Sequence, residues 1–298
     1  MKYNLLGKSA VRVSEVGFGC MSLGRDPAAA TALLHRALEA GITLFDTADL
    51  YQHGENEALV GKAFKGMRQQ VVLATKVGNQ WRPDGSGWDW NPSKGYLLQA
   101  VDHSLRRLQT DYIDLYQLHG GTLDDPLDEA IEAFERLVEQ GKIRQYGISS
   151  IRPSVIREYV RRSHMATVMM QYSLLDRRPE ESCLALLHEH RISVLARGSY
   201  AQGLLAGKPA KEYLNYSEAQ VRQAAALVVE VAGTSRSPAE VAVDFVLREP
   251  VVASAVVGIR TAVQLSAALQ AARRLPLSAA DLQALRQLLP PNAYEQHR

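Results

Sequence analysis

Short apolar runs rich in β-branched residues alternate along the chain with longer stretches whose apolar residues recur at helical spacing. The runs fall at residues 15–20, 43–48, 71–77, 112–119, 146–150, 167–172, 193–197 and 253–258. They are nearly continuous rather than alternating, which is the pattern of parallel strands buried on both faces. The helices between them are clearly punctuated. Asp26-Pro27 joins an N-cap to a proline at the first helical position, and Gly41 stops that helix. Ser217-Glu218-Ala219-Gln220 and Ser237-Pro238-Ala239-Glu240 have the form of capping boxes. Gly141 closes the helix that begins after Asp125-Pro126. Eight such βα units, with no long linker or compositional break, predict one α/β domain over residues 1–298, a closed (β/α)8 TIM barrel. Residues 2–13, with Gly7-Lys8 between apolar positions, are expected to form a short hairpin capping the barrel bottom. A doubly wound open sheet is the alternative, but Gly17-Phe18-Gly19-Cys20 does not supply GxGxxG and no Walker loop is present.

Composition narrows the partners more than the fold. The 298 residues are 46% hydrophobic and 22% charged, enough for a large core. Thirty-four basic residues against 32 acidic leave a net charge of +2. That balance gives no electrostatic reason to expect a nucleic acid or an anionic membrane, though a local basic pocket for phosphates remains open. Cys20 and Cys183, far apart and in no CxxC arrangement, read as free thiols of a reducing compartment. The start lacks the apolar stretch of about 7–15 residues that marks a secretory signal. No apolar run approaches the ~20 residues that cross a bilayer. A soluble, cytoplasmic protein is expected, in which the sequon Asn215-Tyr216-Ser217 is idle. Nothing in the sequence indicates an oligomeric state.

In a barrel of this kind the chemistry lies where strands end and βα loops begin. Strand 2 ends by presenting Asp46, with Asp49 and Tyr51 in the loop that follows. Strand 3 presents Lys76, strand 4 finishes on His119, strand 5 ends in Ser149-Ser150 and strand 6 carries Gln171. Adjacent parallel strands lie ~5 Å apart, so Asp46 and Lys76 can pair across neighbours. A lysine this close to a core is costly without such a partner. Cationic Lys76 beside Tyr51 would stabilise phenolate and lower the tyrosine pKa, suiting Tyr51 to general-acid work near neutral pH. Any one of these residues alone has an equally good structural role. Four of them at one rim point to a site.

These residues resemble the aldo-keto reductase superfamily. The resemblance is carried by Leu44-Phe45-Asp46-Thr47-Ala48-Asp49-Leu50-Tyr51, by Ala74-Thr75-Lys76 and by Asp111-Tyr112-Ile113-Asp114-Leu115-Tyr116-Gln117-Leu118-His119. The opening Val13-Ser14-Glu15-Val16-Gly17-Phe18-Gly19-Cys20-Met21 is similar to that family's first strand, and the similarity runs to about residue 270. It implies that Tyr51 protonates the carbonyl oxygen of an aldehyde or ketone, assisted by Lys76 and Asp46, with His119 orienting the carbonyl. It implies NADPH/NADP+ as cofactor, NADH being possible, delivering hydride across the barrel mouth. Gly19 and Met21 fall among the cofactor-binding positions that the resemblance implies. Ser149 and Gln171 fall where the family holds the carboxamide. The stretch Arg197-Gly198-Ser199-Tyr200-Ala201-Gln202-Gly203, with Lys208 beyond it, matches the pyrophosphate loop. Gly258, Arg260 and Gln264 match the adenosine end, with Arg260 the candidate for the 2′-phosphate. Four positions depart from the family's pattern: Ser150 for Asn, Arg197 for an aromatic ring that stacks on nicotinamide, and Ala267-Ala268 for a Glu-Asn pair that often contacts adenine.

Trp81, Trp88 and Trp90 all fall in the long loop 78–93, where they either wall a substrate pocket or pack the loop onto the barrel. Trp81, Trp88 and His53 are the substrate-pocket candidates. Cys20 reads as a small packing residue. His188-Glu189-His190 lacks metal-ligand spacing, and no metal site is expected. Two rivals remain: a barrel aldolase with Lys76 as a Schiff-base nucleophile, and a redox-sensing or accessory module that binds NADPH with little turnover.

Overall fold

The computed structural model describes residues 1–273 and 276–298. Eight parallel strands close into a barrel: β1 (Val16–Gly19), β2 (Leu44–Asp46), β3 (Val72–Val77), β4 (Ile113–Leu118), β5 (Ile143–Ser149), β6 (Thr167–Gln171), β7 (Ser193–Arg197) and β8 (Val252–Gly258). They follow one another around the ring in chain order, and β8 pairs with β1 to close it. The (β/α)8 barrel read from the apolar runs is therefore the fold, with strand limits moved by a few residues at most ends.

Helices α1 (Pro27–Glu39), α2 (Glu55–Ala63), α3 (Lys94–Leu108), α4 (Leu127–Glu139), α5 (Pro153–Arg162) and α6 (Cys183–Glu189) fill the successive crossovers. Two helices, α7 (Glu218–Ala232) and α8 (Pro238–Leu247), lie between β7 and β8. Then α9 (Ala262–Ala271) and α10 (Ala279–Leu288) follow the last strand. The caps explain where several begin. Asp26 accepts a hydrogen bond from the Ala28 amide ahead of Pro27, and Ser217 and Gln220 complete a reciprocal capping box. At α8, Ser237 accepts from the Glu240 amide.

Inward positions alternate with outward ones along each strand, which divides the core in two. Leu44, Val72, Ala74, Leu115, Met169, Leu195 and Val256 fill the barrel interior, while the larger cluster lies between barrel and helices. The hairpin Tyr3–Leu5 with Arg12–Ser14 closes the floor. Its Leu6 and Val13 are fully buried in the interior cluster, and Asn4 donates to the Ala253 carbonyl at 2.8 Å.

Close strand packing requires glycine at one position. Gly147 faces Thr167 across the β5–β6 ladder, and a Cβ there would stand 2.4 Å from the Thr167 carbonyl oxygen. Since the obstacle is ladder backbone, Gly147→Ala is expected to cost about 3 kcal/mol, read as a lower urea midpoint at unchanged slope.

Candidate active site

Continuing the inward alternation to the C-terminal ends of the strands puts a layer of polar residues above the apolar interior. Asp46 follows Leu44 on the inner face of β2, and Lys76 follows Val72 and Ala74 on β3. The Lys76 ammonium donates to Asp46 Oδ1 at 2.5 Å and to the Thr47 carbonyl at 2.8 Å. Gln117 on β4 donates to the other Asp46 oxygen at 3.4 Å. Lys76 is only 1% exposed. Burial works against its charge, but Asp46 and Tyr51 outweigh that and raise its pKa, so it stays a cation.

Tyr51 leans over this pair. The Lys76 Nζ lies 5.3 Å from the centre of its ring, close enough for its charge to act on the phenol. His119, just beyond β4, meets the tyrosine edge-on with ring centres 6.0 Å apart. The backbone delivering Tyr51 is unusual: Gln52, His53 and Gly54, three consecutive residues, are left-handed. Gly54 serves as N-cap of α2, and a Cβ on it would collide with the Arg107 side chain at 2.7 Å.

One electrostatic expectation reverses. Lys76 does pull the Tyr51 pKa down, but burial is larger and holds the phenol above its ordinary value. Sequence shows a charged neighbour and hides the desolvation. His119 is pushed down to about 3, first by burial and then by Lys76 and Arg197, so its imidazole is neutral. Its Nδ1 is buried without a partner. Asp49 does not reach the cleft, and burial and Glu57 hold its carboxyl well above the usual range.

Asp46, Tyr51, Lys76 and His119, a tetrad of polar side chains, lie in a cleft of about 1520 Å³ across the barrel mouth. Among the sequence candidates, Gly19, Met21, Ser149, Arg197, Gly198 and Ser199 line it near the strand ends. Gln202, Gly203 and Lys208 line it along the loop after β7, and Gly258, Arg260 and Gln264 beyond β8. Gln171 is not on the cleft wall; beside Arg197 in register, it accepts from Arg178 at 3.5 Å. Trp81, Trp88 and His53 surround a second hollow of about 390 Å³, which shares Met21, Leu50 and Tyr51 with the cleft. His53 stacks on Trp81 with ring centres 3.7 Å apart. The loop 78–93 is itself a β-hairpin, Asn79–Trp81 against Trp88–Trp90. Trp90 packs it down: its ring covers Gly78 and Gly120, and its Nε1 donates to Asp125 at 2.9 Å.

Several wall residues carry no sequence signal. Arg152 and Arg178 line the cleft, as does the tail from Ala293 to His297. The tail follows Pro290-Pro291, has no periodicity, and is tied to the barrel where the His297 carbonyl accepts from the Ser154 amide at 2.9 Å. Arg178, fixed by Asp176 at 2.7 Å, lies over the Tyr294 ring.

Comparison with known proteins settles the family. The profile of the Aldo/keto reductase family matches residues 15–290. This chain belongs to that family. It is 48% identical to the "Uncharacterized oxidoreductase YqkF" of Bacillus subtilis over the whole of both chains. It superposes on the holo form of aldo-keto reductase AKR11C1 from Bacillus halodurans with a TM-score of 0.95 and 51% identity, covering 100% of this chain and 99% of that one. An aldo/keto reductase from Klebsiella pneumoniae, solved with NADP and acetate, is 27% identical with a TM-score of 0.82, over 100% of this chain and 99% of that one. The aldo/keto reductases are oxidoreductases that act on small molecules and use a nicotinamide cofactor.

The cleft has features that suit such a cofactor. Ser199 is 2% exposed, and its hydroxyl has no partner. Gly198 and Gly203 are left-handed, and a Cβ on Gly203 would strike the Lys208 side chain. The Arg260 amide donates to Gln264 at 2.9 Å, while its guanidinium has no partner among the described residues. Of the departures, Ser150 is buried and accepts from the Arg152 amide at 3.2 Å. Ala267 lines the cleft, but Ala268 is fully buried behind it. No described helix is long and apolar enough to cross a membrane, and among the described residues no group of His, Cys, Asp and Glu is arranged to hold a metal.

Proposed function

We propose that the whole chain, residues 1–298, works as one barrel domain that reduces aldehydes or ketones to alcohols with NADPH, and that Tyr51 is the proton donor. The observation that carries this reading is the buried Lys76 ammonium, fixed by Asp46 and the Thr47 carbonyl and 5.3 Å from the centre of the Tyr51 ring. A reduced nicotinamide, when bound, supplies hydride to the carbonyl carbon. Tyr51 gives its proton to the oxygen as negative charge builds there, and Lys76 stabilises the phenolate left behind. The raised phenol pKa does not prevent this, because an alkoxide is a far stronger base than a phenolate. Neutral His119 orients the carbonyl oxygen by hydrogen bonding and competes for no proton.

Ser149 and the rim beside Gln171 suit the carboxamide, Ser199, Gln202 and Lys208 the pyrophosphate, and the free Arg260 guanidinium the 2′-phosphate that separates NADPH from NADH. The hollow bounded by Trp81, Trp88 and His53 suits the apolar part of a substrate, because it opens onto Tyr51. The Schiff-base alternative fits poorly. An amine nucleophile must be neutral, and Lys76 is held charged.

A panel of aldehydes and ketones run with NADPH and NADH separately tests the proposal; absence of turnover with every pair would overturn it. The pH profile adds a sharper check. Reduction needs the phenol protonated and burial holds its pKa above the ordinary value, so kcat/KM should stay flat across neutral pH and fall only on the alkaline side. His119 should add no inflection in that range, because it is already neutral throughout.

A further inference from the structure

Beside the Lys76–Asp46 pair, the cleft wall carries an arginine with no ion pair among the described residues. Lys76 and Asp46 cancel as a pair, and Tyr51 and His119 are neutral. Arg197, at the end of β7, lines the same wall, and its guanidinium has no hydrogen bond or ion pair among the described residues. Its field reaches Asp46, Tyr51 and His119. Glu295 on the tail also lines the cleft but forms no ion pair with it.

We infer that Arg197 makes the site distinguish the two oxidation states of the cofactor, favouring the reduced, uncharged nicotinamide over the oxidised, cationic one. This rests on the function proposed above. A ring that gives hydride to a carbonyl whose oxygen meets Tyr51 has to lie within a few ångström of the tetrad, and therefore in the field of Arg197. The phosphates and the adenosine are the same in both oxidation states. Whatever Ser199, Lys208 and Arg260 contribute cancels in the comparison, and the charge on the ring remains. Two like charges facing each other across a partly desolvated cleft change an equilibrium by about tenfold or more. Tighter hold on the reduced form also raises the potential of the bound couple, by about 30 mV for a tenfold ratio and two electrons. The oxidised product is thereby released more readily, while hydride transfer to the carbonyl on the enzyme becomes less favourable by the same factor.

Equilibrium titration with NADPH and with NADP+, followed by quenching of tryptophan fluorescence, tests this without turnover. The wild-type protein is expected to bind NADPH about tenfold more tightly than NADP+. Arg197→Met should bring the two affinities close together, chiefly by tightening NADP+, and Arg197→Lys should keep most of the difference. The ratio is taken within each variant, so a lower fraction of folded protein does not alter it. An unchanged ratio in the methionine variant overturns the inference, as does equal affinity in the wild type, and both leave the proposed function standing. A wild-type protein that binds neither form overturns both.

Discussion

Tyr51→Phe is expected to lower carbonyl reduction by about a thousandfold while leaving the affinity for NADPH nearly unchanged. The substitution removes one oxygen and keeps the ring, so the edge contact with His119 and the wall shared by the cleft and the aromatic hollow survive. What is lost is the hydroxyl of the ring whose centre lies 5.3 Å from the Lys76 ammonium. Water could substitute as proton source, but it would not be held beside the cation, so the residual rate should be small and should lose the alkaline fall assigned to the phenol. Steady-state kinetics and a binding titration on the same preparation check both halves. Full turnover in the phenylalanine variant would eliminate Tyr51 as the donor.

Lys76→Met should affect stability as well as chemistry. The variant leaves the Asp46 carboxylate buried with only a 3.4 Å bond from Gln117, and breaking a buried pair from one side costs about 3–5 kcal/mol. It should also remove the charge that stabilises the tyrosinate, with loss of turnover. Those effects can be separated by the double variant Lys76→Met/Asp46→Asn. With no uncompensated charge in the core, it should recover most of the lost stability in urea denaturation while remaining inactive. If the double variant regained activity, the ion pair would be scaffold and no more.

The barrel and the tetrad were legible for the same reason. A parallel strand buried on both faces writes itself as an apolar run, and a polar residue that ends such a run has few places to go except the rim. Asp46, Lys76 and His119 follow directly from that rule. Arg197 follows too, since its inward position continues that of Leu195. Features made by pairings between distant or irregular segments were hidden. The hairpin within 78–93 uses three-residue strands, too short to show a period, and the tail at Ala293–His297 is placed by contacts with the barrel rather than by its own composition. For Gln171 the resemblance implies a contact with the carboxamide but does not show its partner Arg178, which donates to its side-chain oxygen at 3.5 Å. The direction of the Tyr51 pKa is not legible in the sequence, because neighbouring residues carry the charges while burial removes the water that would screen them.

The left-handed run after Tyr51 bears on how this protein can be altered. Gln52 and His53 each hold a backbone conformation that costs an L-residue about 1–2 kcal/mol and that glycine or asparagine occupies more cheaply. A library randomised at these two positions and sorted for heat resistance should therefore enrich Gly and Asn. The same library sorted for catalysis should retain a stacking side chain at position 53, where the imidazole lies on Trp81 beside the tyrosine. Heat resistance and catalysis would thus pull this short segment in different directions.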